Sequence, residues 1–513
     1  MQLSIDNRKK GRNKMANPAK STATTLAVIL MSQLFSCQNQ VSDSDNAITA
    51  LTAESATVET EDKNKTLDLP DIDWEGREFR VLGYENSRTQ FSTFEIDSDG
   101  ENGDIVNDAV FRRNTAIEEK YNVVITEIKD SSNTDYTTAT EPLIRKTVLA
   151  GDDLYDLVFI TAFKSGVMAR EQLLYNLLDV DYIDFTKEWW NQDINETLSI
   201  NDQLYFTTSD FSLRDKNRAY ILLYNRTMAD ELKLGNPIDM VYDGTWTLDV
   251  FSRWALEAGG DLNGDGAIDD EDSFGVTMDS YNSVQAFATG CGIKIVDKNE
   301  QGQYEIEVNT EASVDVIETI VNLLNDGRAA SSCDSWNGKV DYDFWSFAGK
   351  AFKEGRALFV NTFPHGLKNF SAECVDDYGI IPYPKYDESQ DKYYTYADIM
   401  AMLFAIPATC SDPDFTGFML EALSVASTDT TLEAYYEVSC KTKYTYDQDS
   451  AAMLDITFDG IRYEPAVIYS ISGLSDIFTS LGSKQSTAFS STYASIEKSA
   501  LADLDKLIAD FSK

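Results

Sequence analysis

From Trp74 onward the chain alternates between two kinds of apolar pattern. Short runs rich in β-branched and aromatic residues, Glu78–Leu82 (EFRVL), Tyr121–Ile128 (YNVVITEI) and Tyr155–Ile160 (YDLVFI), read as strands. Between them, Asp104–Tyr121 places Ile105, Ala109, Val110 and Ile117 at helical spacing, with charges on the remaining positions. Thr140–Ala150 and Ser165–Tyr175 read as further helices, with Pro142 tolerable in a first turn. Strand alternating with helix predicts a parallel α/β sheet, whose ligand-facing loops lie beyond the carboxyl ends of its strands. Here those loops are Gly83–Asn86 and Thr161–Phe163. After Leu204–Thr208 (LYFTT) and Tyr220–Tyr224 (YILLY) the pattern changes. Helices dominate from Thr227 to about Leu256 and from Ala312 to Asn325, with a strand at Gly275–Met278, and this predicts a second lobe. A strand at Ala357–Val360 and a segment at Tyr378–Pro382 are expected to return the chain to the first lobe, and a helical tail from about Pro413 to go back again. Repeated crossings make a hinge with a cleft.

The N-terminal pattern is different. Arg8, Lys9, Lys10, Arg12, Lys14 and Lys20 precede an apolar run, Leu26–Phe35, too short to span a membrane as a mature helix. Counting from Met15 gives a leader of conventional length. Leu34-Phe35-Ser36-Cys37 resembles the bacterial lipobox. That resemblance implies cleavage after residue 36 and lipidation of Cys37, with membrane attachment through the N-terminal lipid. An ordinary cleaved signal with an incidental cysteine is the alternative. Residues 37–73, rich in Ser, Thr, Asp, Glu and Asn without apolar periodicity, read as a flexible acidic spacer. The expected location is the outer face of the cytoplasmic membrane.

Composition narrows the function. A 513-residue chain that is 43% hydrophobic and 12% aromatic has material for more than one core. Its net charge of −43, near −48 once the basic leader is gone, repels phosphate backbones, so nucleic acid is excluded as an expected partner. Such a field attracts divalent cations. Beyond Cys37 the cysteines are Cys291, Cys333, Cys374, Cys410 and Cys440, none in a CxxC pair, so no zinc cluster is expected. Export permits disulfides, but their pairing stays open, and an odd number leaves one thiol free. The single histidine, His365 in NTFPHG, excludes any mechanism that needs two, and no GxSxG elbow accompanies it.

In this order, several stretches resemble the extracellular solute-binding proteins of bacterial ABC importers, specifically family 1, the sugar-binding group. They are EGREFRVLGYE (75–85), NDAVFRRNTAIEEKYNVVI (107–125), GDDLYDLVF (151–159), LYNRTMADELKLGNP (223–237), DGTWTLDVF (243–251), FKEGRALF (352–359) and DYGIIPYPKYDESQDKYY (377–394). The resemblance implies an α/β, two-lobed periplasmic-binding-protein-like fold of type II, with several chain crossings at the hinge and a central ligand cleft. The expected first lobe is 74–215 with 361–411, and the second is 216–360 with 412–513. The implied function is capture of a solute, foremost an oligosaccharide, by lobe closure and delivery to ABC transporter permease subunits. No catalytic residues come with it, and a monomer is expected. Related receptors bind peptides, polyamines or modified sugars, so fold alone does not fix the ligand.

The sharpest local motif is DLNGDGAIDDED, 261–272. It offers Asp261, Asn263, Asp265, the Ala267 carbonyl, Asp269 and Asp272 at positions 1, 3, 5, 7, 9 and 12 of an EF-hand-like loop, with Gly266 at the sharp turn. Asp272 is shorter than the usual closing glutamate, which weakens bidentate closure. Calcium is the expected cofactor, in a structural role; an Asp/Gly-rich surface turn is the bland alternative.

Sugar sites pair aromatic platforms with side chains that exchange several hydrogen bonds. Trp246, Trp254 and Trp345 sit among apolar or helical neighbours and read as core, whereas Trp336 lies in the polar loop SSCDSWNGK and reads as ligand-facing. The candidate ligand residues are Tyr84, Glu85, Phe163, Asp210, Asp279, Trp336, Asn361 and His365. Asp210 and Asp279 follow strands, although turn or cap roles suit them equally. A surface glycoside hydrolase is the rival function, because it needs only two suitably spaced carboxylates among 86 acidic residues.

Overall fold

The computed structural model describes residues 69–436 and 448–512, so the leader, Cys37, most of the acidic spacer and Cys440 lie outside the described residues. Two sheets carry the architecture. Their strands, in chain order, are β1 (Arg77–Tyr84), β2 (Val123–Asp130), β3 (Leu157–Thr161), β4 (Ile221–Asn225), β5 (Phe274–Met278), β6 (Ala330–Ser332), β7 (Ala357–Thr362), β8 (Tyr378–Ile381) and β9 (Met402–Ala405). The first sheet has the order β9-β3-β1-β2 and the second β8-β4-β7-β5-β6.

The first sheet begins as its alternating pattern predicts. β1 runs parallel to β2, with Arg77 opposite Val123, and parallel to β3, with Val81 opposite Leu157. Its far edge departs from the expected all-parallel sheet, because β9 joins antiparallel to β3 with Met402 opposite Thr161. The second sheet is mixed as well: β4 is antiparallel to β7 and β8, while β5 is parallel to β6 and β7. Leu204–Thr208, expected as a strand, contributes a single bridge from Thr207 to Phe404.

Helices cover the sheets: α1 (Ile105–Tyr121), α2 (Glu141–Ala150), α3 (Ala162–Arg170), α4 (Leu248–Ala258), α5 (Asn282–Gly290), α6 (Glu311–Asp326), α7 (Pro413–Ser427), α8 (Ile477–Ser483) and α9 (Phe489–Asp510). The Asp104 carboxylate accepts from the Val106 and Asn107 N–H groups and so fixes where α1 starts; it ends where Asn122 turns left-handed at φ 51°. The apolar positions of α1 are buried as the spacing requires, apart from Ile105. The helical stretch expected from Thr227 to about Leu256 consists of three helices, Arg226–Leu232, Pro237–Tyr242 and α4. Gly235 and Gly244 take φ of 102° and 72°, and Pro237 has no N–H to continue a preceding helix, so the breaks were written in the chain.

The crossings differ from the expected ones. Ala357–Val360 and Tyr378–Ile381 do not return to the first lobe, since both pair with β4 in the second sheet. The return runs through Tyr396–Asp398 into β9, side by side with the outward crossing: Ala219 bridges Ala397, Tyr220 N–H donates to Tyr396 O at 3.0 Å, and Asp398 N–H donates to Arg218 O at 3.0 Å. Likewise α7 does not go back at once. Its Phe415, Phe418 and Leu423 pack with Phe79, Val81 and Phe159 on one face of the first sheet. The opposite face, with Leu82, Val158 and Ile160, belongs to a core that runs on through α5, α6, α8 and α9 to Val276 and Phe359 of the second sheet. The C-terminal helices therefore touch both lobes; Arg170 of α3 holds Asp503 of α9 at 2.7 Å. Burying so much apolar surface across the hinge is what joins the lobes into one body.

Candidate functional site

Residues of both lobes and of α8 enclose a cleft of about 1060 Å³. It lies beyond the carboxyl ends of β5 and β7, where an α/β sheet exposes its loops. Asp279 and Tyr281 follow β5; Asn361 and Thr362 end β7, and Phe363 and His365 follow it. From the first lobe come Phe91, in the loop after β1, and Tyr136, in the loop after β2, stacked on each other with centroids 4.0 Å apart. The third wall is α8, which presents Thr479, Ser480 and Ser483. Gly482 is what allows this, because a methyl group there would overlap the Ser280 carbonyl of the turn after β5.

Of the candidates read from sequence, the structure brings Asp279, Asn361 and His365 together on this cleft. Asp279 accepts from Tyr281 N–H at 3.0 Å, Ser283 N–H at 3.1 Å and Ser283 Oγ–H at 2.9 Å, with Asn361 Nδ2 at 3.5 Å. Burial pushes its carboxyl above the usual range, and these donors pull the other way. His365 Nδ1 lies 3.1 Å from the Asn217 carbonyl, and burial together with the Arg218 cation holds its pKa down at about 3. It is a neutral imidazole that donates one bond.

The other candidates lie elsewhere. Tyr84 is fully buried in the first lobe, its hydroxyl donating to Asn133 O at 2.8 Å and accepting from Asn86. Glu85 is exposed away from the cleft, and Phe163 is half-buried beneath Lys164. Asp210 accepts from Thr428 Oγ–H at 2.7 Å and borders a separate cavity of about 760 Å³. Trp336 is only 5% exposed: it stacks on Phe347 at 4.7 Å and donates Nε1–H to Ser331 Oγ. Its polar flanks are loop, but the loop folds inward, and neighbour polarity does not report where a ring points. Trp345 does the reverse. It lines the cleft 49% exposed, with Tyr281 edge-on at 6.2 Å.

Sequence reasoning also missed Phe91, Tyr136, Arg218, Tyr220 and α8. The loop after β2, which carries Tyr136, follows the same carboxyl-end rule already applied to β1 and β3, so that signal was present. Arg218 is 5% exposed and bonded through Nη2 to Asp398, whose Oδ1 accepts from Met400 N–H at 2.8 Å. The charged groups on the cleft are Arg218, Lys353 and Lys484 against Asp279, Asp398 and Asp476. In a chain of net charge −43, this lining is balanced.

The 261–272 loop is set by its own side chains. Asp261 accepts from the Gly264 and Gly266 N–H groups, Asn263 from Asp265, and Asp265 from Ala267. Asn263, Asp265 and the Ala267 residue are exposed and Asp269 is half-buried, so donors of the kind calcium takes are at hand. The closing position is engaged: Arg328 donates Nε–H to buried Asp272 at 3.1 Å and reaches the Ala267 carbonyl. Among the described residues, no three His, Cys, Asp or Glu side chains are gathered as a metal cage. Cys291, Cys333, Cys374 and Cys410 are free thiols.

No family model matches this sequence, and a search of curated proteins finds no match. Solved structures do match. A sugar transporter protein from Rhizobium etli, in an open conformation, is similar over 84% of this chain and 98% of its own at 14% identity, with a TM-score of 0.52. An ABC substrate-binding protein from Listeria monocytogenes in complex with cycloalternan covers 85% of this chain and 99% of its own (12% identity, TM-score 0.49). A maltose/maltodextrin-binding domain from Bdellovibrio bacteriovorus bound to maltotriose covers 84% and 100% (13% identity, TM-score 0.48). The fold, two mixed α/β lobes about a cleft, is that of the periplasmic binding proteins.

Proposed function

We propose that this chain is a solute-binding protein of an ABC importer whose ligand is an uncharged oligosaccharide. The observation that carries this reading is the cleft: aromatic faces from both lobes, Phe91 and Tyr136 on one side and Trp345 and Tyr281 on the other, about a charge-balanced lining. At about 1060 Å³ it sits at the upper end of small-molecule clefts, roughly 300–1,000 Å³, which suits several sugar rings better than one. A polyamine would call for a net negative lining, and balance removes that support. The rival glycosidase needs one free carboxylate and one raised acid. Asp279, whose carboxyl pKa burial raises, is committed to three hydrogen bonds from the turn after β5, and Asp398 is committed to Arg218, so neither is free to serve as the second, ionised carboxylate.

Two further elements belong to the reading. Cys37 is the proposed lipid attachment point, which radiolabelled palmitate and a Cys37→Ser variant test directly. The 261–272 loop is the proposed calcium site, held by Asp261, Asn263, Asp265, the Ala267 carbonyl, Asp269 and Asp272; Asp272 must exchange Arg328 for the ion.

The test is thermal unfolding of residues 41–513 against linear and cyclic oligosaccharides. A ligand that binds only the folded state adds about 2.7 kcal/mol at a hundredfold excess over Kd. A raised midpoint with the sugar recovered intact supports the receptor; cleaved sugar replaces it with the hydrolase; no shift across the panel sinks the carbohydrate reading.

A further inference from the structure

At the base of the cleft, four planar groups stand in sequence. Phe91 comes from the first lobe, where it packs against the core of the first sheet. Arg218 stands on the crossing segment, its guanidinium 5.1 Å from the Phe91 ring centroid and 4.4 Å from that of Phe363. Phe363 follows β7 of the second lobe, and His365 stacks on it at 5.2 Å, 14° from parallel. The hinge cation is thus held between one ring of each lobe.

We infer that Phe91, Arg218 and Phe363 form an inter-lobe latch, in which a cation fixed on the hinge is clasped by one aromatic ring from each lobe and sets the angle between them. Three observations support it. Asp398 lies on the neighbouring crossing segment and anchors the guanidinium through Nη2, so Arg218 belongs to the hinge and to neither lobe. Arg218 Nε is buried without a hydrogen-bond partner, so the plane of the guanidinium is set by its ion pair and the two rings rather than by saturating every N–H. Arg218 is 5% exposed, and cation–π contacts are strongest where water is excluded. Opening the lobes must pull at least one ring off the cation. The protein's own side chains make the whole stack, so the latch does not depend on which solute the cleft takes.

The experiment measures inter-lobe distance with no solute added. Spin labels on unnatural amino acids replace exposed Glu119 on α1 and exposed Lys368 in the second lobe, leaving the thiols untouched. Phe91→Leu removes one ring and keeps the ion pair; Arg218→Lys keeps the charge beside Asp398 and loses the planar stack. Each variant is expected to move the ratio of short to long distances toward long by about 2- to 30-fold, the range of one cation–π contact. Phe363→Leu should reproduce the shift from the other side. Distance distributions that coincide with wild type in Phe91→Leu and Phe363→Leu, both folded by circular dichroism, would overturn the latch. A shift in Arg218→Lys alone also overturns it, because the ion pair rather than the clasp would then be responsible.

Discussion

The two tryptophans of the second lobe provide the sharpest test of the cleft, because sequence and structure assign them opposite roles. Trp345→Ala removes a ring that is 49% exposed, tilted on Phe344 at 4.9 Å and met edge-on by Tyr281. A tryptophan has about 150–250 Å² to bury, so roughly 100 Å² of indole faces the cleft. A sugar face covering about three-quarters of that, at about 25 cal/mol per Å², contributes about 2 kcal/mol. The expected outcome is a Kd raised about 30-fold. Stability should fall by about 1 kcal/mol or less, since little packing is lost. Trp336→Ala should do the converse. That ring is buried on Phe347, and its removal should cost about 3–5 kcal/mol of stability while the folded fraction binds with a Kd within about threefold of wild type. Calorimetric titration with the sugar found in the unfolding screen, beside denaturant unfolding of each variant, separates the two effects. If Trp345→Ala binds like wild type while Trp336→Ala loses affinity, the ligand does not sit where the cleft places it.

Other expectations follow from particular contacts. Glu421, 4% exposed and accepting Trp190 Nε1–H at 3.0 Å, has its pKa raised by burial to about 7, so its protonated form favours the fold below pH 4.5 and that contribution, on the order of 3 kcal/mol, is lost as pH rises through 7. Glu421→Gln keeps an acceptor for Trp190 and should flatten the difference in melting midpoint between pH 4.5 and 7; an unchanged slope would show that the carboxyl is not the titrating group. Gly275 in β5 lies between the Ala255 and Ala329 carbonyls, so Gly275→Ala should cost at least about 1–3 kcal/mol in denaturant unfolding, and a neutral result would mean that the strand shifts freely. Millimolar calcium should raise the melting midpoint relative to chelator, Asp265→Ala should abolish the rise, and Arg328→Gln, by freeing Asp272, should enlarge it; no calcium response in wild type or Arg328→Gln rejects the site.

How much of this was legible depended on whether the information was local. Strands β1 to β5 and helices α1, α2 and α6 carry their period and their ends in adjacent residues: Asp104 caps α1 at its start, and Gly327 at φ 82° ends α6. What local pattern does not contain is the pairing partner. Ala357–Thr362 and Tyr378–Ile381 are plainly strands, yet nothing in their residues says that β4 is their neighbour and not β3. Met402–Ala405, four apolar residues, is the strand that does return, and its length gives no signal beyond burial. The helix–sheet alternation therefore predicted the class, and the crossings had to come from the structure.

The site divides in the same way. Asp279, Asn361 and His365 lie on the cleft because each ends or follows a strand, a rule that holds wherever a sheet meets its loops. Phe91, in the loop after β1, falls under the same rule, whereas Trp345 and the α8 wall reach the cleft only through tertiary placement. Trp336 and Trp345 lie nine residues apart with the same side chain, and their neighbours gave the opposite answer to their burial. Charge behaves likewise. A chain at −43 invites a cationic ligand, but the excess is distributed over the surface, while the cleft sets three cations against three carboxylates. Net charge thus governs long-range attraction and solubility, and the few groups that face the ligand govern what is held. A neutral solute is the class that loses least on entering a lining whose charges balance, because it brings no charge to be stripped of water and left without a partner.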